Sequence, residues 1–220
     1  MKIVALSDQH GYLPEVPACD LLIVAGDQCP DIFRRVTARQ DPSLQRDWFL
    51  RDWRYWLTKQ PVGHCIVTWG NHDFCGEAYS ASRFDLGPRV TVAVDSLVEY
   101  EGLKIWCTPW SNTFMQWAFM RSDAALVKVY AQIPTGLDIL VSHQPPHGIC
   151  DVAVPIIGEG TQFLGSVALK DAIERAQPKI VVCGHIHGGH GHATMPNGTE
   201  VYNVAIVNEG YVPVWKPTVL

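Results

Sequence analysis

The sequence predicts an α/β protein: two β-sheets packed face to face with helices outside, a four-layer α/β/β/α sandwich. Three observations lead there. Short, β-branched apolar runs recur along the chain, and several end in a polar cluster. Stretches with helical spacing alternate with them, and closely spaced strands joined by hairpin turns follow.

The elements follow in chain order. Ile3-Val4-Ala5-Leu6 leads to Asp8, Leu21-Leu22-Ile23-Val24-Ala25 to Gly26-Asp27, and Cys65-Ile66-Val67-Thr68-Trp69 to Gly70-Asn71-His72. Runs of this length and composition read as buried strands. Between the second and third, Asp41-Pro42 supplies an N-cap and an N1 proline, and Phe49, Leu50, Trp53, Trp56 and Leu57 recur at helical spacing. That pattern predicts an amphipathic helix on the sheet, with Trp53 and Trp56 in the core. From 90 to 107 the strands become close-spaced, with Glu101-Gly102 as the turn between 97–100 and 103–107. Ile139-Leu140-Val141 before His143, and Ile180-Val181-Val182-Cys183 before Gly184-His185, repeat the first arrangement. A second helix is expected over about 165–176, stopped before Pro178, and Asn197-Gly198 marks a last hairpin. Five strands thus deliver polar groups at their carboxyl ends, where open α/β sheets place ligands. No repeat, low-complexity tract or linker divides the chain, so one domain over 1–220 is expected.

Composition narrows the partners. Lys and Arg total 17 against 22 Asp and Glu, a formal charge of -5, with no dense basic cluster. Long nucleic acid is therefore disfavoured, whereas small anionic substrates stay open. Arg34, Arg35 and Arg39 form a loose basic group read as solvated surface, and His64 as a surface or satisfied side chain. Seven cysteines without a CxxC pair read as reduced core thiols, Cys29 and Cys75 included. The first apolar stretch is too short for a signal peptide, and no segment approaches the roughly 18 apolar residues of a membrane helix. A cytoplasmic protein away from membranes is expected.

The polar clusters are Asp8-Gln9-His10, Gly26-Asp27, Gly70-Asn71-His72-Asp73, Ser142-His143 and Gly184-His185-Ile186-His187. They offer oxygen and imidazole donors but no sulfur, a set suited to manganese, iron, zinc or nickel. Pairs at i and i+2, Asp8 with His10 and His185 with His187, point to one side of an extended backbone. Glycine at 26, 70 and 184 fits sharp turns and close backbone approach. Asp27, with two carboxylate oxygens, can bridge two ions.

This order of motifs, DxH, GD, GNHD, a lone His and GHxH, resembles the calcineurin-like metallophosphoesterases from residue 8 to residue 187. The resemblance implies two divalent metal ions, with Asp8, His10 and His187 on the first, Asn71, His143 and His185 on the second, and Asp27 between them. It also implies that His72 protonates the leaving oxygen while Asp73 orients its imidazole, after attack by a hydroxide shared between the metals. Manganese is the expected metal. Thr108-Pro109-Trp110, Trp117-Ala118-Phe119, Ser142-His143-Gln144-Pro145-Pro146 and the glycine-rich run after His187 resemble the metallophosphodiesterase-domain (MPPED-like) subgroup. That narrower likeness implies a phosphodiesterase acting on a small or cyclic nucleotide-type substrate. The alternatives are a protein phosphatase or nuclease on the same centre, or a non-catalytic metal-binding scaffold. Trp110, Asn112, His147 and His190 are the candidates for substrate contact, and His192 shares their loop setting.

Overall fold

Each apolar run folds as a strand whose alternate residues face opposite layers, as seen in a computed structural model that describes residues 1–31, 41–153 and 160–220. Arg34, Arg35 and Arg39 lie outside the described residues. The strands of the two large sheets are β1 (Ile3–Leu6), β2 (Cys19–Ala25), β3 (Val62–Thr68), β4 (Val90–Val92), β5 (Ser96–Tyr100), β6 (Leu103–Thr108), β7 (Ile139–Ser142), β8 (Ile180–Cys183), β9 (Gly191–Thr194), β10 (Glu200–Asn203) and β11 (Thr218–Val219). One sheet has the order β11-β1-β2-β3-β4, the other β9-β10-β8-β7-β6-β5. Both are mixed. β1 to β4 run parallel with β11 antiparallel at the edge; β6, β7, β8 and β10 run parallel with β5 and β9 antiparallel at the flanks.

The period of two along a strand assigns the layers. In β2, Leu21, Ile23 and Ala25 point into the seam between the sheets, where they meet Ile105, Cys107, Ile139, Val141 and Val182 of the second sheet. Leu22 and Val24 point outward, onto Trp48, Phe49, Trp53 and Trp56. Each such fully buried aliphatic side chain contributes about 1.5–3 kcal/mol.

The outer helices follow from their caps. The Asp41 carboxylate accepts the Ser43 N–H at 2.9 Å and opens α1 (Pro42–Trp48). The expected single helix is interrupted by a π-helical turn, Phe49–Trp53, before α2 (Arg54–Thr58) resumes. The wider turn falls where Phe49 and Trp53 stack at 4.5 Å on their way into the core. Trp53 Nε1 then donates to Gln9 Oε1 at 3.0 Å, and Trp56 Nε1 to the Pro14 carbonyl at 2.8 Å, so both tryptophans are core residues with satisfied donors. α3 (Phe74–Ala78) follows the third strand.

On the far side, α4 (Asp123–Tyr130) and α5 (Val167–Ala176) cover the second sheet through Leu126, Tyr130, Leu169 and Ile173. α5 starts where the Ser166 Oγ accepts the Leu169 N–H and ends at Gln177, whose φ of 50° breaks the helix before Pro178. The Glu101-Gly102 turn has φ of 48° and 82°, the signature of a type I′ hairpin. His64 is satisfied by Thr91 Oγ1 at 3.0 Å. All seven cysteines are free thiols, and Cys29 and Cys75 meet in the core with their sulfurs 3.7 Å apart. No helix among the described residues is long and apolar enough to cross a membrane.

Candidate metal centre

The parallel strands β1, β2, β3, β7 and β8 end at one rim, where the Ser7 N–H donates to the Val204 carbonyl at 3.0 Å and joins the sheets. The residues that follow them converge there. Ligand atoms of Asp8, His10 and His187 lie within 4.8 Å of one another, and so do those of Asp27, His143 and His185. Asp27 Oδ2 stands between the groups, 3.2 Å from His143 Nε2 and 4.0 Å from His10 Nε2. Asn71 Oδ1 is 2.8 Å from His143 Nε2.

The backbone is bent hard to achieve this. Asp8, His10, Asp27 and His185 hold φ of 57°, 44°, 56° and 66°, a left-handed conformation costing each about 1–2 kcal/mol. The three glycines are there because of contact. A Cβ on Gly26 would strike the His143 ring, one on Gly70 the Asp27 carboxylate, and one on Gly184 the Asp8 carboxylate.

Outer hydrogen bonds fix the imidazoles. His143 Nδ1 donates to the Ala25 carbonyl at 2.9 Å, and His187 Nδ1 to the Asn208 carbonyl at 3.0 Å. His10 Nδ1 pairs with Asp31 Oδ2 at 3.0 Å. Each Nε2 is thereby aimed inward. His10 Nε2 is buried without a hydrogen-bond partner, as a ligand nitrogen would be. Charge agrees with geometry. Burial opposes ionisation of Asp8, yet His187 and His143 lower its pKa to about 2. Burial likewise opposes Asp27, and His143 and His72 hold it well below the usual carboxylate range. Burial would lower His143, but Asp27 raises it to about 9, so the centre draws positive charge. Burial and the neighbouring His143 push His185 down to about 3, leaving a neutral donor. This oxygen and imidazole set fits two divalent cations that share Asp27.

The expected pairing of Asp73 with His72 is not what the structure holds. Asp73 oxygens accept the backbone N–H groups of Asp27 at 2.8 Å, Gly70 at 2.9 Å and Cys29 at 2.9 Å, so its carboxylate braces two loops. Burial and the nearby Asp27 raise its pKa to about 6. The partner of His72 is Asp31, whose Oδ1 lies 2.8 Å from Nδ1 while Oδ2 takes His10. One carboxylate therefore orients the neighbouring imidazoles of His10 and His72. Asp31→Asn is expected to lower kcat about 10–100-fold, the usual cost of losing such an orienting partner, and to shift the pH profile. Measuring kcat against pH alongside bound metal checks this, and an unchanged profile would make Asp31 merely structural.

A cavity of about 370 Å³ opens over Asp27, Asn71, His72, His185 and His187. Of the four candidates for substrate contact, Asn112 lines it, and Trp110, His147 and His190 do not. Trp110 is a core buttress: its Nε1 donates to Asp95 Oδ2 at 2.6 Å, and the Arg121 guanidinium stands 4.2 Å above its ring. His147 is half-buried and pairs with Asp151 at 3.7 Å. His190 donates to the Ala205 carbonyl at 2.8 Å and stacks on Trp215 at 4.3 Å. His192 is occupied by Glu200. Sequence reasoning passed over Tyr211, whose ring lies 4.6 Å from that of His10, and gave Trp117, 4.6 Å from His72, no place at the site.

The family model described as Calcineurin-like phosphoesterase matches residues 1–189. Metallophosphoesterase domain-containing protein 1 of Homo sapiens is 30% identical over 247 residues, spanning 100% of this chain and 70% of its own length. A UPF0046 protein of Caenorhabditis elegans is 27% identical over 242 residues, spanning 100% of this chain and 80% of its own. The fold is similar to that of TT1561 of Thermus thermophilus, with a TM-score of 0.58 and 14% identity over 92% of this chain and 88% of that one.

Proposed function

Because this chain belongs to the calcineurin-like phosphoesterase family and is a metal-dependent phosphoesterase, we propose that its substrate is a small phosphodiester of about nucleotide size and that His72 is the general acid. The observation that carries the reading is the cavity, which is lined by the candidate ligands Asp27, Asn71, His185 and His187 together with the apolar Phe114, Trp117 and Leu164. A phosphoryl group fits beside the candidate ligands and an organic arm against the apolar side chains. The Glu209 carboxylate in the same cavity disfavours the second negative charge of a monoester.

Asp8, His10 and His187 on one side and Asn71, His143 and His185 on the other, with Asp27 shared, would hold two divalent cations, manganese being the first to test. Such ions supply Lewis acidity to the phosphoryl oxygens and lower the pKa of a water at the site. The protein supplies the proton. Burial disfavours a charged His72, but the carboxylates of Asp27 and Asp31 outweigh it and raise its pKa. With Nδ1 committed to Asp31, the Nε2 proton is the one available to the departing ester oxygen as its bond to phosphorus breaks. Trp117 packs against the ring and limits its movement.

Manganese-loaded protein should hydrolyse bis-p-nitrophenyl phosphate with a kcat/KM at least about tenfold above that for p-nitrophenyl phosphate, a difference that corresponds to about 1.4 kcal/mol. A preference for the monoester would displace the diesterase reading.

A further inference from the structure

Three side chains that line the cavity also stand on the outer surface: Phe114 is 61% exposed, Leu164 45% and Tyr211 39%. Beside each in sequence lies another exposed apolar residue, Met115, Phe163 and Val212. Apolar side chains from three separate segments therefore gather at one mouth. Gatherings of this kind on a soluble protein mark binding sites.

The mouth is held in register with the metal centre. Gln144, adjacent to His143 and itself buried, donates through Nε2 to the Leu164 carbonyl at 3.1 Å and accepts the Asn112 N–H on Oε1 at 2.7 Å. One side chain thus ties two of the three segments to a ligand residue. The third is tied by Tyr211, which holds a left-handed φ of 59° and sets its ring 4.6 Å from His10 and 5.2 Å from His187. A surface built to the position of the metals fits a molecule whose other end is at the metals, which is the substrate.

We propose that Phe114, Leu164 and Tyr211 form an apolar lip that selects phosphodiesters carrying an extended alkyl-type arm, reaching from the phosphoryl group out past the cavity. This rests on the diesterase reading above. In hydrolysis, water adds to phosphorus and the P–O bond to the leaving group breaks. The leaving oxygen takes a proton, and the arm remains on the phosphate product.

The test uses p-nitrophenyl methyl, butyl and octyl phosphates with manganese-loaded protein, below the concentrations at which the octyl ester forms micelles. Full burial of a methylene corresponds to about fourfold in affinity; against a half-exposed lip about twofold is expected, hence roughly 100-fold in kcat/KM between methyl and octyl. Phe114→Ser and Leu164→Ser should each lower the octyl-to-methyl ratio about fivefold, with unfolding temperatures confirming that both variants fold. A flat series in the wild type, with the methyl ester hydrolysed, overturns the lip. So does a ratio unchanged in both variants. Turnover of p-nitrophenyl phosphate with none of any diester overturns the diesterase reading, and the lip with it.

Discussion

Replacing Asp27 with alanine is expected to abolish measurable hydrolysis and to strip the centre of both metals. Its Oδ2 is the oxygen within reach of both ligand groups, 3.2 Å from His143 Nε2 and 4.0 Å from His10 Nε2. Its Oδ1 accepts the His72 backbone N–H at 2.7 Å, so the same carboxylate also sets the loop that carries the proposed acid. The loss of metal affinity should exceed the roughly 10–100-fold typical of an outer partner, because a shared ligand is removed from both sites at once. Thermal unfolding gives a second readout. A cation at a hundredfold excess over its Kd stabilises the folded state by about 2.7 kcal/mol. In a chain of this size that is about 5–10 °C in Tm. Wild-type protein should lose that increment on chelation, whereas Asp27→Ala should show none to lose. A variant that retains both metals by elemental analysis would remove Asp27 from the bridging position.

The opposite pattern is expected of His72→Ala: metal content preserved, kcat lowered about 10²–10⁴-fold. His72 lies on the cavity wall, and its ring is held by Asp31 and Trp117. The sign of the pH effect follows. A general acid must carry its proton, and the pKa of His72 is raised by Asp27 and Asp31 against the opposing burial, so wild-type kcat should fall as pH climbs through that raised value. The variant should lack this alkaline limb. Its defect should also be smaller for a p-nitrophenolate leaving group, which departs without help, than for an alkoxide. Equal losses for both leaving groups, or a metal-depleted variant, would assign His72 another role.

Much of this was readable because the relevant signals are local. A strand ending in Gly-Asp or Gly-Asn-His declares itself within ten residues, and so does the Trp53 and Trp56 stripe at helical spacing. Asp31 was not readable. It follows Cys29-Pro30 in no periodic pattern, and its meaning comes from a contact with His72 across 41 positions. Asp73 misled for another reason: the family resemblance implied a pairing with His72, while the carboxylate turns back to four backbone N–H groups, those of Asp27, Gln28, Cys29 and Gly70. Trp110 follows a strand end as the ligand clusters do, but the Asp95 carboxylate draws its indole into the packing. Tyr211 sits in a loop beyond the last ligand motif, in a backbone conformation that no sequence period announces. The π-helical turn at Phe49–Trp53 was hidden because its spacing is close to that of an ordinary helix.

The donors divide between the halves of the chain. Asp8, His10, Asp27 and Asn71 follow strands of one sheet, while His143, His185 and His187 follow strands of the other. Two of the three groups able to hold an ion mix the two, Asp8 and His10 with His187 and Asp27 with His143 and His185, while His10, Asp31 and His72 lie within the first half. Neither half owns the whole donor set, so a gene fragment encoding one half would carry an incomplete centre. Ions held there would rivet the two sheets together like a bolt through two plates.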